Sequence, residues 1–136
     1  MPLDELIDFY QTLTPASLAR LDDYYAADAR FKDPFNDVRG VPAIRRIFEH
    51  MYATLEAPHF MVSEKVGAGG TAFLVWTFRF RRNGAAFEIR GATQLRFDAA
   101  GKVVEHRDWW DAAEELYAKL PLLGPLMRWL QRRLAA

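Results

Sequence analysis

The chain has 136 residues, 51% of them apolar, which suits one domain built around a single core. Eighteen basic residues cancel eighteen acidic ones, so no net field argues for nucleic acid or a polyanionic partner. Cysteine is absent, which excludes disulfides, thiolate metal sites and thiol nucleophiles and leaves the compartment open. "MPLDELIDFY" carries acids where a secretory leader carries basic residues, and no apolar run reaches membrane-spanning length; a cytoplasmic location is the expectation.

Leu3, Leu6, Ile7, Tyr10 and Leu13 recur at helical spacing. "TPAS" then offers Thr14 as an N-cap with Pro15 at the first helical position, predicting a second helix with Leu18, Leu21, Tyr24 and Tyr25 on its buried side. Ala29 to Lys32 reads as short and extended, since the residue before Pro34 is pushed out of the helical region. From Val41, the spacing of Ile44, Ile47, Phe48, Met51 and Leu55 predicts a third amphipathic helix, begun near Gly40 and Pro42 and closed by Pro58. Asn36 and Asp37 are read as its caps.

After Pro58 the apolar period changes to two, and "VGAGGT", "RRNGAA" and "FDAAGK" separate four apolar runs, the pattern of an antiparallel meander. Asn83-Gly84 asks for a type I′ turn, which sets Arg82 opposite Ala85. Phe80 then faces Phe87, Phe78 faces Ile89, Trp76 faces Gly91 and Leu74 faces Thr93. The opposite face carries Thr77, Arg79, Arg81, Glu88, Arg90 and Gln94. With a four-residue turn from Asp98 to Gly101, Thr93 lies beside His106, Gly91 beside Asp108 and Ile89 beside Trp110. His106 and Asp108 thus project from the apolar face, about 7 Å apart along the strand, where charged groups must be paired, neutralised or functional. Gly91 is expected to leave space above the sheet.

"YYAADARFKDPFNDVRGVPAIRRIF" and "LRFDAAGKVVEHRDWWD" resemble the acid-proline turn and the final strand pair of the nuclear transport factor 2-like superfamily, which includes ketosteroid isomerases and SnoaL-like polyketide cyclases. The resemblance covers residues 3 to 111. It implies an α+β cone: three N-terminal helices packed on a curved antiparallel sheet. Residues 112–136 would be a helical extension of the same domain.

By position, Asp33 matches the isomerase's general base. The isomerase's oxyanion hole needs a tyrosine and a protonated aspartic acid. Phe9 falls where the tyrosine should be, with Tyr10 one residue away, and Thr93 falls in place of the acid. Because one lost oxyanion donor costs about two to three orders of magnitude, the resemblance argues against steroid isomerisation by that machinery. The cyclases and dehydratases of the superfamily instead combine aspartate with histidine, as His106 and Asp108 would. An aspartate, arginine, aspartate relay of the epoxide hydrolase kind is not reproduced, since Arg90 and Arg107 alternate onto the outer face.

The candidate catalytic set is therefore Asp33, His106 and Asp108. Phe9, Tyr10, Trp76, Phe78, Phe80, Phe87, Ile89, Gly91, Thr93 and Trp110 are the expected walls of a pocket for an apolar, carbonyl- or hydroxyl-bearing molecule. Each has a plainer reading: Asp33 as a turn former, His106 as a core histidine bonded to Thr93 or a backbone carbonyl, Asp108 as one half of an ion pair with a rim arginine. Neither a metal nor an organic cofactor is expected, as one histidine with carboxylates is a weak metal signature and "GAGG" joins strands instead of opening a helix. The alternative function is a non-catalytic carrier or a dimeric interaction module presenting Arg79, Arg81, Arg90 and the outward-pointing Trp109; a homodimer is expected either way.

The tail from Pro121 carries Arg128, Arg132 and Arg133 and no acid. Leu123, Leu126, Met127, Leu130 and Leu134 stripe one side of it at helical spacing, with Trp129 at the edge. Packing on protein is the first expectation for this helix and contact with an anionic membrane the second.

Overall fold

The computed structural model describes residues 3–111 and, within the tail, residues 125, 129 and 132–134. Helix α1 (Leu3–Gln11) buries Leu6, Ile7, Phe9 and Tyr10 and carries Asp4 and Glu5 in its first turn, where the helix dipole favours negative charge. The second helix of the sequence reading is split and shortened. A 3₁₀ turn (Ala16–Arg20) leads into the single α turn α2 (Leu21–Tyr24), and strand β1 (Tyr25–Lys32) already begins at Tyr25. Thr14 accepts a hydrogen bond from the Ser17 N–H, while its own N–H donates to the Ser17 hydroxyl.

β2 (Asp37–Arg39) pairs antiparallel with β1. Asn36 and Asp37 therefore do not cap the third helix: Asp37 lies in β2 and takes two hydrogen bonds from the Arg30 guanidinium. That contact holds its carboxyl below the usual carboxylate range. Gly40 caps α3 (Val41–Thr54) instead, at φ 93°, a value that favours glycine, and donates its N–H to the Ala29 carbonyl. The helix buries Val41, Ile44 and Phe48 and stops at Leu55, three residues before Pro58.

The meander follows as β3 (Glu56–Ala68), β4 (Thr71–Arg82), β5 (Ala85–Phe97) and β6 (Val103–Trp109). The β4–β5 register is the one that Asn83-Gly84 dictates, from Arg82 opposite Ala85 to Leu74 opposite Thr93. Both turn residues have positive φ, 52° and 79°. The β5–β6 register differs by two residues: Thr93 faces Asp108 and Leu95 faces His106. Lys102 belongs to the loop, whose first and last residues are joined by the bond from Asp98 N–H to the Lys102 carbonyl, and an irregularity between Arg96 and Phe97 adds a second residue. Two single shifts keep the side-chain faces and change the partners.

The sheet is mixed, where an all-antiparallel one was expected. Its order is β2-β1-β6-β5-β4-β3, and β1 runs parallel to β6. Both strands donate inward residues to the same core, with Tyr25, Ala29 and Phe31 from β1 and Val103 and His106 from β6 buried together. Helices and a curved six-stranded sheet thus make a mixed α+β fold. The extension expected over residues 112–136 lies, apart from the positions named above, outside the described residues. Among the described residues, no helix is long and apolar enough to cross a membrane.

Candidate functional site

A cavity of about 680 Å³ opens between α1, α3 and the inner face of the sheet. Of the expected wall residues, Tyr10, Trp76, Phe78, Phe80, Phe87, Ile89, Thr93 and Trp110 line it. Phe9 does not; its ring stacks on Tyr24 at 4.2 Å under the Arg20 guanidinium. Gly91 does not either. A Cβ there would stand 2.6 Å from Trp76 Cη2 and 2.9 Å from the Trp109 carbonyl oxygen, so the space the glycine leaves is filled by the indole. Sequence reasoning missed Phe31, Phe48, Met51 and Phe60, which complete the aromatic and aliphatic wall. Phe31 was findable, since it lies two residues before Asp33 on the same face of an extended segment.

Asp33, His106 and Asp108 all line this cavity, in two different settings. Asp33 closes the turn between β1 and β2. Its Oδ1 accepts the N–H groups of Phe35 and Asn36 at 2.8 and 2.7 Å, and the Asn36 side-chain amide bridges both oxygens at 3.1 Å. This is an Asx turn, and it leaves Oδ2 as the oxygen with lone pairs to spare.

His106 and Asp108 sit in a buried hydrogen-bonded chain. Trp76 Nε1 lies 2.7 Å from Thr93 Oγ1, Thr93 Oγ1 lies 2.5 Å from Asp108 Oδ1, and the same oxygen lies 2.8 Å from His106 Nε2. On its other side, His106 Nδ1 is 2.7 Å from the Tyr25 hydroxyl, which is 2.7 Å from the Tyr10 hydroxyl. The donor inventory orders the chain. Indole N–H only donates, so Thr93 accepts from Trp76 and sends its own hydrogen to Asp108. Asp108 Oδ1 then receives Thr93 O–H and His106 Nε2–H together, and in the neutral ring His106 Nδ1 is left to accept from Tyr25. Burial pushes both tyrosines above the usual phenol range, so they remain O–H donors.

His106 is 5% exposed, and the Asp108 side chain is 16% exposed on the cavity wall. Among the described residues, the partners of Asp108 are thus His106 and Thr93, and no rim arginine pairs with it; Arg107 lies on the outer face, its guanidinium 4.6 Å from the Trp109 ring centre. Asp108 Oδ2 makes no hydrogen bond within the described residues, and the cavity is the space open to it. Tyr25 is the member of this chain that sequence reasoning missed, because it was assigned to a helix. Among the described residues, no three carboxylate or imidazole side chains group as a metal site.

Solved structures share this architecture. A hypothetical protein with a ketosteroid isomerase-like fold from Catenulispora acidiphila, in complex with trimethylamine, is 19% identical over 84% of this chain and 88% of its own, with a TM-score of 0.70. A protein described as a SnoaL-like polyketide cyclase from Jannaschia sp. CCS1 is 12% identical over 82% of this chain and 84% of its own, with a TM-score of 0.71. An epoxide hydrolase from M. tuberculosis, of the LEH-like kind, is 13% identical over 95% and 92%, with a TM-score of 0.69. At such identities the likeness speaks for the fold. No curated relative matches the sequence. The SnoaL-like domain family does match, over residues 6–106, and the chain belongs to that family, with the nuclear transport factor 2-like fold its structure shows.

Proposed function

We propose that the chain binds an apolar, carbonyl- or hydroxyl-bearing small molecule in the aromatic cavity and moves a proton on it, as an isomerase, cyclase or dehydratase does. The observation that carries this reading is the Asp108 carboxylate on the cavity wall, with Oδ1 held by Thr93 and His106 and Oδ2 uncommitted among the described residues. A base needs a fixed position and a free lone pair within reach of its substrate, and this carboxylate has both. His106 and Thr93 hold Asp108 in one rotamer. Aromatic walls of this size suit a ligand of two or three fused rings.

Asp33 is the second carboxylate on the cavity, and its turn makes it separable by mutation. Asparagine at position 33 keeps the oxygen that accepts the Phe35 and Asn36 N–H groups. Asp33→Asn is therefore expected to hold stability within about 0.5 kcal/mol and to lower turnover by less than about tenfold. Thermal melts and steady-state rates check both, and a loss of about a hundredfold or more would return the base role to Asp33.

A specific observation favours self-association alongside this chemistry. Val75, Ala92 and Trp109 stand side by side across β4, β5 and β6 on the outer face. Val75 and Trp109 are exposed, as are Met61 and Phe73 beside them. An apolar row flanked by ion pairs such as Arg79–Glu88 fits a second copy of the chain. The unaltered protein is expected to sediment as a dimer and the Val75→Lys, Trp109→Glu double variant as a monomer; a monomeric unaltered protein would exclude the pairing.

A further inference from the structure

We propose that Tyr10, Tyr25 and His106 form a proton relay, which takes a proton from an acidic hydroxyl, such as a phenol or an enol, held against Tyr10 and lodges it on His106 Nδ1. The relay rests on the reading of the cavity as a ligand site and adds to it a second proton port besides Asp108 Oδ2. It stands on the geometry of three buried side chains; among the described residues, Tyr10 and His106 reach the cavity wall and Tyr25 links them from behind. Tyr10 lines the cavity and Tyr25, 1% exposed, lies behind it.

In the resting order, the Tyr10 O–H donates to Tyr25, the Tyr25 O–H donates to His106 Nδ1, and His106 Nε2–H donates to Asp108. Tyr10 keeps a lone pair for a donor in the cavity. When a ligand O–H donates to Tyr10, three protons move one step each along hydrogen bonds already made. The ligand proton passes to the Tyr10 oxygen, the Tyr10 proton to the Tyr25 oxygen, and the Tyr25 proton to Nδ1. Each tyrosine oxygen gains one proton and loses one, so neither phenol changes charge. The products are the ligand oxyanion, which now accepts a hydrogen bond from Tyr10, and an imidazolium whose Nε2–H faces the Asp108 carboxylate.

Both end states are hydrogen-bonded throughout, which is what a relay requires and a merely structural cluster does not. Burial supports the scheme, because tyrosines pushed above the usual phenol range transmit protons without ionising. Among the described residues, the titratable and charged groups facing His106 are Tyr10 from α1, Tyr25 from β1 and Asp108 from its own strand. From β1, Phe31 also lays its ring 4.5 Å from the imidazole, and from β5 Thr93 reaches it only through Asp108. Among the described residues, Asp108 is thus the charged group placed to balance the imidazolium.

The probe is 4-nitrophenol, whose visible absorbance separates the neutral from the ionised form. At a pH where most of the free compound is neutral, the bound compound is expected to show the phenolate band. Tyr25→Phe removes the 2.7 Å step to His106 Nδ1 and leaves only the 3.4 Å approach of the Tyr10 hydroxyl, too long for a good hydrogen bond, while the cavity wall is unchanged. It should retain affinity within about threefold while the ratio of bound phenolate to bound phenol falls at least about tenfold. Phenolate at the same ratio in this variant, neutral phenol in the unaltered protein, or no binding at millimolar concentration would each overturn the relay. A measurement without any variant stands beside this one. ¹⁵N NMR of the unliganded protein is expected to show neutral His106 protonated on Nε2, and a neutral ring protonated on Nδ1 would overturn the proposed order. Carbon-acid exchange at Asp108 is read on a ring ketone that has no O–H to give, so that reading and the relay fail separately.

Discussion

Asp108→Asn is expected to lower the rate of proton transfer by about 10²–10⁴-fold while the protein stays folded. Asparagine is nearly isosteric with aspartate, and its amide oxygen still accepts the Thr93 O–H and the His106 Nε2–H that now meet at Oδ1. What disappears is the charge and the basic lone pair of Oδ2. An amide cannot take a proton from carbon near neutral pH, so the substitution isolates the chemistry from the packing. Turnover of a ring ketone, measured with a thermal melt on the same sample, checks the pair of outcomes. Loss of rate together with loss of fold would instead mark Asp108 as a structural member of the chain.

Gly91→Ala is the second large expected effect, and it acts through packing. The added Cβ would stand 2.6 and 2.7 Å from two carbons of the Trp76 ring and 2.9 Å from the Trp109 carbonyl oxygen. The indole could swing away, but the backbone carbonyl belongs to the β5–β6 ladder and cannot move cheaply. Overpacking of this kind costs about 2–3 kcal/mol, a fall in Tm of roughly 10 °C for a domain of this size. Moving Trp76 would also loosen its hydrogen bond to Thr93 and, through it, the position of Asp108. A thermal melt therefore checks the first effect and turnover the second, with both expected to fall. An unchanged Tm would show that the indole gives way freely and that Trp76 is not fixed.

Local chemistry made much of this fold legible. Asn83-Gly84 sets the β4–β5 register residue by residue, because a two-residue turn with positive φ leaves the strands no other pairing. The same turn fixes the aromatic inner face and hence most of the cavity wall. Registers not governed by a tight turn were harder to read. A loop that includes Lys102 and an irregularity beside Phe97 together slide β6 by two residues, and neither is visible in side-chain alternation, which a two-residue shift preserves.

The candidate site was legible to the same depth. Alternation and resemblance single out Asp33, His106 and Asp108 as candidates, and all three line one cavity. Tyr25 was hidden because "LDDYYAAD" carries helical spacing through Leu21 and Tyr24, and nothing local announces that β1 starts one residue later. Parallel pairing with β6, at Tyr25 opposite Val103, is what draws that residue into the sheet and brings its hydroxyl to His106. Long-range pairing of this kind leaves no short-range mark. The asparagine beside Asp33 illustrates the converse: Asn36 looked like a helix cap, and the Asx turn that it completes with Asp33 uses the same side-chain chemistry three residues earlier.

The central claim is that a carboxylate fixed in an aromatic cavity takes a proton from an apolar carbon acid. The measurement that tests it most directly is deuterium incorporation at the α-carbon of 2-tetralone, followed by NMR in D₂O with the unaltered protein. Exchange faster than buffer alone, saturable in ketone and suppressed by naphthalene as a competitor for the same walls, is the predicted result. Exchange at the buffer rate with the ketone demonstrably bound would contradict the claim, and would leave the cavity as a binding site whose carboxylate takes no proton from carbon.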